Sequence, residues 1–248
     1  MLKEHKDYVL GDVTAAEVNA MLLSEKAQGM SYKHAATLMS TYKQVFDYAT
    51  IQRHITYNPV LTIKVPQGMK RSTRQAPEND IIKTIKANAN EPFGLFPYLL
   101  LYTGFRAGEA LALEWVDVDF KSKTIRCTKS VDYHTAKPTI KEPKTNAGVR
   151  TVPLLSDLEK VLLLQPDKSG YVSNLNGALL TRSAFRHRWI DWCKCAGLVT
   201  AIKRNEKHKK KDLTFERTVY EPTLTAHQIR HGYATILYEA GIDGLEAT

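Results

Sequence analysis

The stretch from Leu99 to Asp119, LLLYTGFRAGEALALEWVDVD, constrains this chain more than any other. It is an apolar run, a Thr-Gly break, and then Arg106 at the mouth of a second apolar segment. Apolar runs leave water on folding, so both segments are expected in a core. The arginine between them is expected to be held in place and kept from escaping to solvent. A guanidinium fixed in this way is positioned for an anion.

The balance of charge points to the same kind of partner. The 248 residues, 43% of them hydrophobic, suffice for one or two globular domains. Lys and Arg number 35 against 26 Asp and Glu, a net charge of +9. That excess favours a polyanion, and nucleic acid before membrane, because no basic helix carries a wide apolar face. No stretch approaches the roughly 18 apolar residues of a membrane span, and MLKEHKDYVL lacks a signal-peptide core, so a cytoplasmic protein without membrane contact is expected. The three cysteines, Cys127, Cys193 and Cys195, form neither a disulfide framework nor a zinc finger. Cys193 and Cys195 lie two apart in a predicted helix and point in different directions, which suits packing better than a metal.

Residues 1–65 read as a small helical module. Thr14-Ala15-Ala16-Glu17 has the form of a capping box, which starts a helix whose apolar face is Val18, Met21 and Leu22. From Ser31, Ala35, Leu38, Met39, Tyr42, Val45, Phe46 and Ala49 recur at steps of three and four and mark a long amphipathic helix. Lys33, Lys43, Gln44 and Arg53 fall on its other face, where a solvated surface accounts for each singly at least as well as a DNA contact. Asn58-Pro59 ends the run. From Ile63 to Pro77 the texture changes to IKVPQGMKRSTRQAP, with Lys64, Lys70, Arg71 and Arg74 as its basic residues. Residues 66–76 read as a basic linker, which either joins two modules or also lies along a phosphate backbone.

The second module, 77–248, opens with Ile81, Ile82 and Ile85 at helical spacing, followed by the apolar run Phe93–Tyr102. Thr124–Tyr133 and Thr139–Leu154 are predicted strands, with turns at His134–Pro138 and Asn146–Gly148 and Lys144 just before the second turn. Thr181–Leu198 is predicted helical, with Phe185, Trp189, Trp192 and Cys193 as its core stripe. KRNEKHKKK, Lys203–Lys211, is expected to be a solvated loop or a phosphate contact, with Lys209, Lys210 and Lys211 at its end. Thr225-Ala226-His227-Gln228 fits a second capping box, whose helix is predicted to run to Gly241 and places His227 and Arg230 on one face of its first turn. The fold class is therefore α+β, mainly helical with a small antiparallel sheet.

Two arginines at helix starts, a histidine one turn from the second and a hairpin lysine suit a phosphodiester. Arginine stays protonated and can grip two phosphate oxygens, which stabilises a five-coordinate phosphorus better than lysine does. Lysine or histidine can move the protons. Such a site needs no metal or other cofactor. A metal-dependent nuclease built on Glu114, Asp117 and Asp119 is the other enzymatic reading, but these acids alternate as a solvent-facing edge does and have no partner motif.

TGFRAGEALAL around Arg106, PKTNAGVRTVPL around Lys144 and TAHQIRHGYAT around Arg230 resemble, in order, the three landmark segments of the tyrosine recombinase (phage integrase) family. The resemblance implies a helical, SAM-like core-binding domain, a catalytic domain, and a site-specific recombinase of a phage or mobile element. Such a protein cuts and rejoins double-stranded DNA through a 3′-phosphotyrosyl link, as a homo-tetramer on paired sites. By position, Arg106 and Arg230 match the arginines that bind the scissile phosphate, Lys144 the general acid, and His227 the histidine that assists proton transfer. Glu109 matches a supporting acidic position, and His231 fits as a structural neighbour. Lys33, Lys43, Lys70, Arg71, Arg74, Lys209, Lys210 and Lys211 are candidate DNA contacts. The family's nucleophilic tyrosine lies several helical turns beyond the HxxR segment, whereas here only GIDGLEAT follows the helix. The catalytic domain is accordingly read as lacking its C-terminal end and its nucleophile, with Tyr233 and Tyr238 as core residues. The alternative function is a DNA-binding remnant that occupies recombination sites without cleavage.

Overall fold

A computed structural model describes residues 9–71, 76–135, 137–142, 148–173, 178–207 and 214–242. The chain divides into two compact units, Met1–Arg74 and Gln75–Thr248, and each has a core of its own.

In the first unit, α1 (Ala15–Ala27) and α2 (Tyr32–Ile51) start where polar side chains satisfy the free amides of their first turns. Glu17 Oε2 accepts from the Thr14 amide at 2.8 Å, and Thr14 Oγ1 accepts from the Glu17 amide at 3.3 Å. Ser31 caps α2 through the His34 amide at 3.3 Å. Val18 and Leu22 of α1 pack with Ala35, Met39 and Phe46 of α2. Val45, placed by its spacing in the apolar stripe, lies outside this core at 47% exposure.

The expected linker is largely part of this unit. Met69 is buried in the α1–α2 core, the Tyr32 amide donates to the Lys70 carbonyl at 3.0 Å, and the Arg71 guanidinium lies 4.4 Å over the Tyr32 ring. The reason is that the apolar Val65 and Met69 side chains complete a core that two helices leave open. The division of the chain falls between Arg74 and Gln75.

The second unit is organised on α4 (Leu95–Thr103), every residue of which is buried. α3 (Asn79–Ala87) precedes it, with Ile82 and Ile85 in the same core. Aromatic rings close one side of α4, Phe96 standing edge-on to both Phe185 and Trp189. α4 stops at Gly104, whose left-handed backbone (φ 62°) ends the helix and turns the chain into α5 (Ala107–Ala112). Strands β1 (Val118–Asp119), β2 (Thr124–Cys127) and β5 (Arg150–Pro153) form an antiparallel sheet in the order β1-β2-β5, and β3 (Ser130–Asp132) and β4 (Thr139–Lys141) form a hairpin between β2 and β5. α6 (Ser156–Leu163) and α7 (Arg182–Cys195) follow. Cys193 is buried and Cys195 exposed, as their helical spacing requires.

Three expectations are corrected. Lys203–Lys207 is not loop but part of β6 (Val199–Lys207), which pairs over its whole length with β7 (Thr214–Pro222). Opposite charges across the ribbon offset its basic strand, Lys203 with Glu216 at 2.8 Å and Arg204 with Glu221. The last helix is interrupted at Gly232, giving α8 (Ala226–His231) and α9 (Tyr233–Glu239). The Gly232 amide bonds to the Ile229 carbonyl at 2.8 Å in a tighter turn, where a Cβ would stand 2.9 Å from Leu101 Cδ1 and 3.1 Å from Pro77 Cγ. Asp117 is not on a solvent edge. It is buried and, with Glu114, pairs with Lys129. Asp119, by contrast, accepts from the Lys121 and Ser122 amides in a turn. Among the described residues no helix is long and apolar enough to cross a membrane, and no three His, Cys, Asp or Glu side chains gather as a metal-holding group.

Candidate functional site

Glu109 is the centre of the site. It is the third residue of α5, 6% exposed, and its carboxylate folds back on the residue that begins the helix. Oε2 accepts from the Arg106 amide and Oε1 from Arg106 Nη1, both at 2.8 Å. These two bonds fix Arg106 by backbone and side chain together. Arg106 nevertheless keeps 64% of its side chain exposed, contrary to the expectation that it is shielded, because the helix start lies at the rim and burial begins at Glu109. α5 is itself held close to the β3–β4 hairpin, since a Cβ at Gly108 would meet Ser130 Oγ at 2.5 Å and the Val131 carbonyl at 2.7 Å.

Two further arginines reach the same carboxylate. Arg150, at the start of β5, donates from Nη2 to Glu109 Oε2 at 2.7 Å, and Arg230, on α8, brings Nη1 to 3.9 Å from that oxygen. Arg150 is also fixed by Cys127, its cross-strand partner, whose Sγ lies 3.5 Å from Nη1, and by Phe105, whose ring centroid is 5.1 Å from the guanidinium. Arg230 Nη1 is buried and has no hydrogen-bond partner among the described residues.

Electrostatics follow from this geometry. Burial pushes the Glu109 carboxyl up, but hydrogen bonds from Arg150 and Arg106 outweigh it and hold the group down to about 2. Burial and the Glu109 charge push the Cys127 thiol up to about 11, so it is a neutral packing group. Arg230 is shifted downward, first by burial and then by the like charge of Arg106, which marks a cation in want of a counter-charge. Three arginines face one carboxylate, an excess of two positive charges. Such a set attracts and orients an anion.

The structure thus brings together Arg106, Glu109 and Arg230, and adds Arg150, which sequence reasoning missed. The missed signal was alternation. Arg150 and Val152 share one face of β5, and Val152 is buried, so Arg150 points inward as well. His227 and His231 are exposed on α8 with ring centroids 4.7 Å apart, His227 one turn from Arg230. Lys144 lies outside the described residues, as do Arg74, Lys209, Lys210 and Lys211. Lys141, its near neighbour in sequence, is engaged by Asp132 across the hairpin. Lys33 and Lys43 on α2, and Lys70 and Arg71 after it, are exposed on the first unit. Tyr233 is half-buried, with its ring near Gly104 and its hydroxyl enclosed, whereas Tyr238 is 85% exposed and does not belong to the core.

The family model described as "Phage integrase family" matches residues 73–246. The chain belongs to that family. Among curated proteins it is 26% identical over 230 residues to a "Tyrosine recombinase XerC-like" protein of Caldanaerobacter subterraneus subsp. tengcongensis, covering 87% of this chain and 58% of the relative. It is 24% identical over 250 residues to the ICEBs1 integrase of Bacillus subtilis, covering 97% and 65% respectively. The chain therefore spans about three-fifths of the length of these two relatives. Solved structures share the fold. Tn1549 transposon integrase in complex with transposon right end DNA superposes with a TM-score of 0.67 at 18% identity, covering 95% of this chain and 76% of that one. Lambda integrase (75–356), a dimer bound to a COC′ core site, gives 0.63 at 20% identity, covering 96% and 78%.

Proposed function

We propose that this chain serves site-specific DNA recombination, as part of an integrase of a phage or other mobile element, by holding a scissile phosphodiester of double-stranded DNA between Arg106 and Arg230. The observation that carries the reading is Arg230 Nη1, buried and unpaired 3.9 Å from a carboxylate already engaged by two other arginines. A buried guanidinium nitrogen left without a hydrogen-bond acceptor is costly unless a ligand supplies one, and a phosphate oxygen is such an acceptor. The relatives and structural neighbours, integrases solved on DNA among them, agree with it.

In this reading Arg106 offers its exposed guanidinium edge and Arg230 its unpaired nitrogen to the non-bridging oxygens. Both interactions strengthen as phosphorus becomes five-coordinate and gains charge, so they lower the barrier and do not merely tighten binding. Glu109 keeps the two cations at fixed separation. Lys144 is assigned proton donation to the leaving 5′-oxygen, and His227, beside Arg230, assists proton transfer. The nucleophile is a tyrosine that forms a 3′-phosphotyrosyl link. Lys33, Lys43, Lys70 and Arg71 contribute sequence-independent phosphate contacts, and Arg74, Lys209, Lys210 and Lys211 are assigned the same part. Assembly as a homo-tetramer on paired sites belongs to the same proposal. A lambda integrase tetramer has been solved on a Holliday junction.

Orthovanadate bound in a nicked duplex mimics five-coordinate phosphorus and tests the reading directly. Each arginine makes charge-assisted hydrogen bonds worth about 1.5–3 kcal/mol, so Arg106→Ala and Arg230→Ala should each weaken vanadate-dependent binding roughly 10- to 100-fold. Affinity for the intact duplex should change less than about threefold, because many other cations carry it. Equal losses on both substrates, or none, would refute the assignment.

A further inference from the structure

Arg150 stands apart from the other two arginines of the site. Its Nη2 is spent on Glu109 at 2.7 Å, its Nη1 lies against Cys127 Sγ at 3.5 Å, its plane is covered by the Phe105 ring, and only 21% of its side chain is exposed. Little of it is left to meet a substrate. What it does is occupy Glu109 Oε2. That oxygen accepts two hydrogen bonds, from Arg150 Nη2 and from the Arg106 amide, which fills its lone pairs. Arg230 Nη1, the next donor in line, is left at 3.9 Å from the same oxygen with no partner among the described residues.

We propose that Arg150 is a positioning residue that competes with Arg230 for Glu109 and so keeps Arg230 Nη1 free for a phosphate oxygen. The inference rests on the reading of this cluster as a phosphate site. Without Arg150, Oε2 has a vacant lone pair and Arg230 needs to move less than 1.5 Å to fill it. The two remaining arginines are then both paired to one carboxylate, and the net charge facing an anion falls from two to one. Arg150 therefore acts on the anion through Arg230 and not by contact. Lysine in its place keeps the charge, on a single nitrogen, but loses the planar fork that reaches Glu109 and Cys127 together.

The test is a set of variants read by affinity for the nicked duplex with and without orthovanadate. Arg230→Ala comes first. If it leaves vanadate-dependent binding unchanged, the phosphate reading itself fails and this inference falls with it. If Arg230→Ala weakens binding, Arg150→Met is expected to weaken it tenfold or more, and Arg150→Lys by an intermediate amount. The deciding variant is Arg150→Met combined with Glu109→Gln. Removing the carboxylate's charge releases Arg230, so the double variant should bind vanadate more tightly than Arg150→Met alone, within about threefold of Glu109→Gln. A double variant no better than Arg150→Met, with native tryptophan emission in both, would overturn the proposal and leave Arg150 as a direct contact or a fold support. So would an Arg150→Met protein that binds like the parent. If Arg150→Met does not fold, Arg150→Lys with and without Glu109→Gln gives the same comparison, and absence of rescue there is equally decisive against it.

Discussion

Glu109 holds a negative charge in a buried place only because arginines surround it. Desolvation favours the neutral acid, and the hydrogen bonds of Arg150 and Arg106 reverse that preference, taking the group from 4.5 to about 2. A carboxyl lowered on folding stabilises the fold fully above its unfolded value and loses that contribution as pH falls through its folded one. The window here runs from about 4.5 down to about 2, and the contribution at neutral pH is ~3 kcal/mol. Urea unfolding of the parent and of Glu109→Gln should therefore differ most at pH 7, and the gap should shrink by about half at pH 3. A gap independent of pH would contradict the account. At this scale Arg106 and Arg230 were legible in the sequence because each lies at a helix start, and Glu109 through the family resemblance of the segment around Arg106. Arg150 was not, because a single charged residue in a strand shows its direction only when the register of β2 and β5 is known.

One close approach between elements fixes the turn before Arg106. Gly104 ends α4 in the left-handed region and presses on Tyr233, a Cβ there standing 2.4 Å from Cδ1 of the ring. Gly197 shares the left-handed backbone, at φ 70°, but has nothing within 4 Å. Gly197→Ala should cost only the backbone strain, about 1 kcal/mol, whereas Gly104→Ala adds overpacking and should cost ~2–4 kcal/mol. Chemical unfolding followed by tryptophan fluorescence measures both. Equal costs would mean that Tyr233 yields freely and does not lock α9 against the turn before Arg106. The start of α1 was legible from its capping box, and α2, α3 and α7 from their apolar spacing, whereas α4, apolar throughout, was legible as a buried run. The β6–β7 ribbon was not. Its basic strand has the composition of a loop, and the cross-strand acids Glu216 and Glu221 offset its charge once β7 is paired with it. The break at Gly232 escaped for a similar reason, since it is dictated by Leu101 and Pro77 from distant parts of the sequence.

Over the whole chain, two cores account for the two units. Among the described residues, the first core ends at Met69 and the second begins in α3, with Pro77 packed near Gly232. Met69, set among prolines and basic residues, reads as linker in the sequence until its burial is seen. The function assigned to the second unit depends on one claim, that Arg106 and Arg230 grip a phosphate while Arg150 holds Glu109. The direct measurement is a crystal structure of the chain on a nicked duplex with orthovanadate. The account predicts vanadate oxygens within about 3.2 Å of both the Arg106 and the Arg230 guanidinium, with Arg150 still on Glu109. Vanadate bound elsewhere, or DNA seated with neither arginine in reach of its backbone, would contradict it.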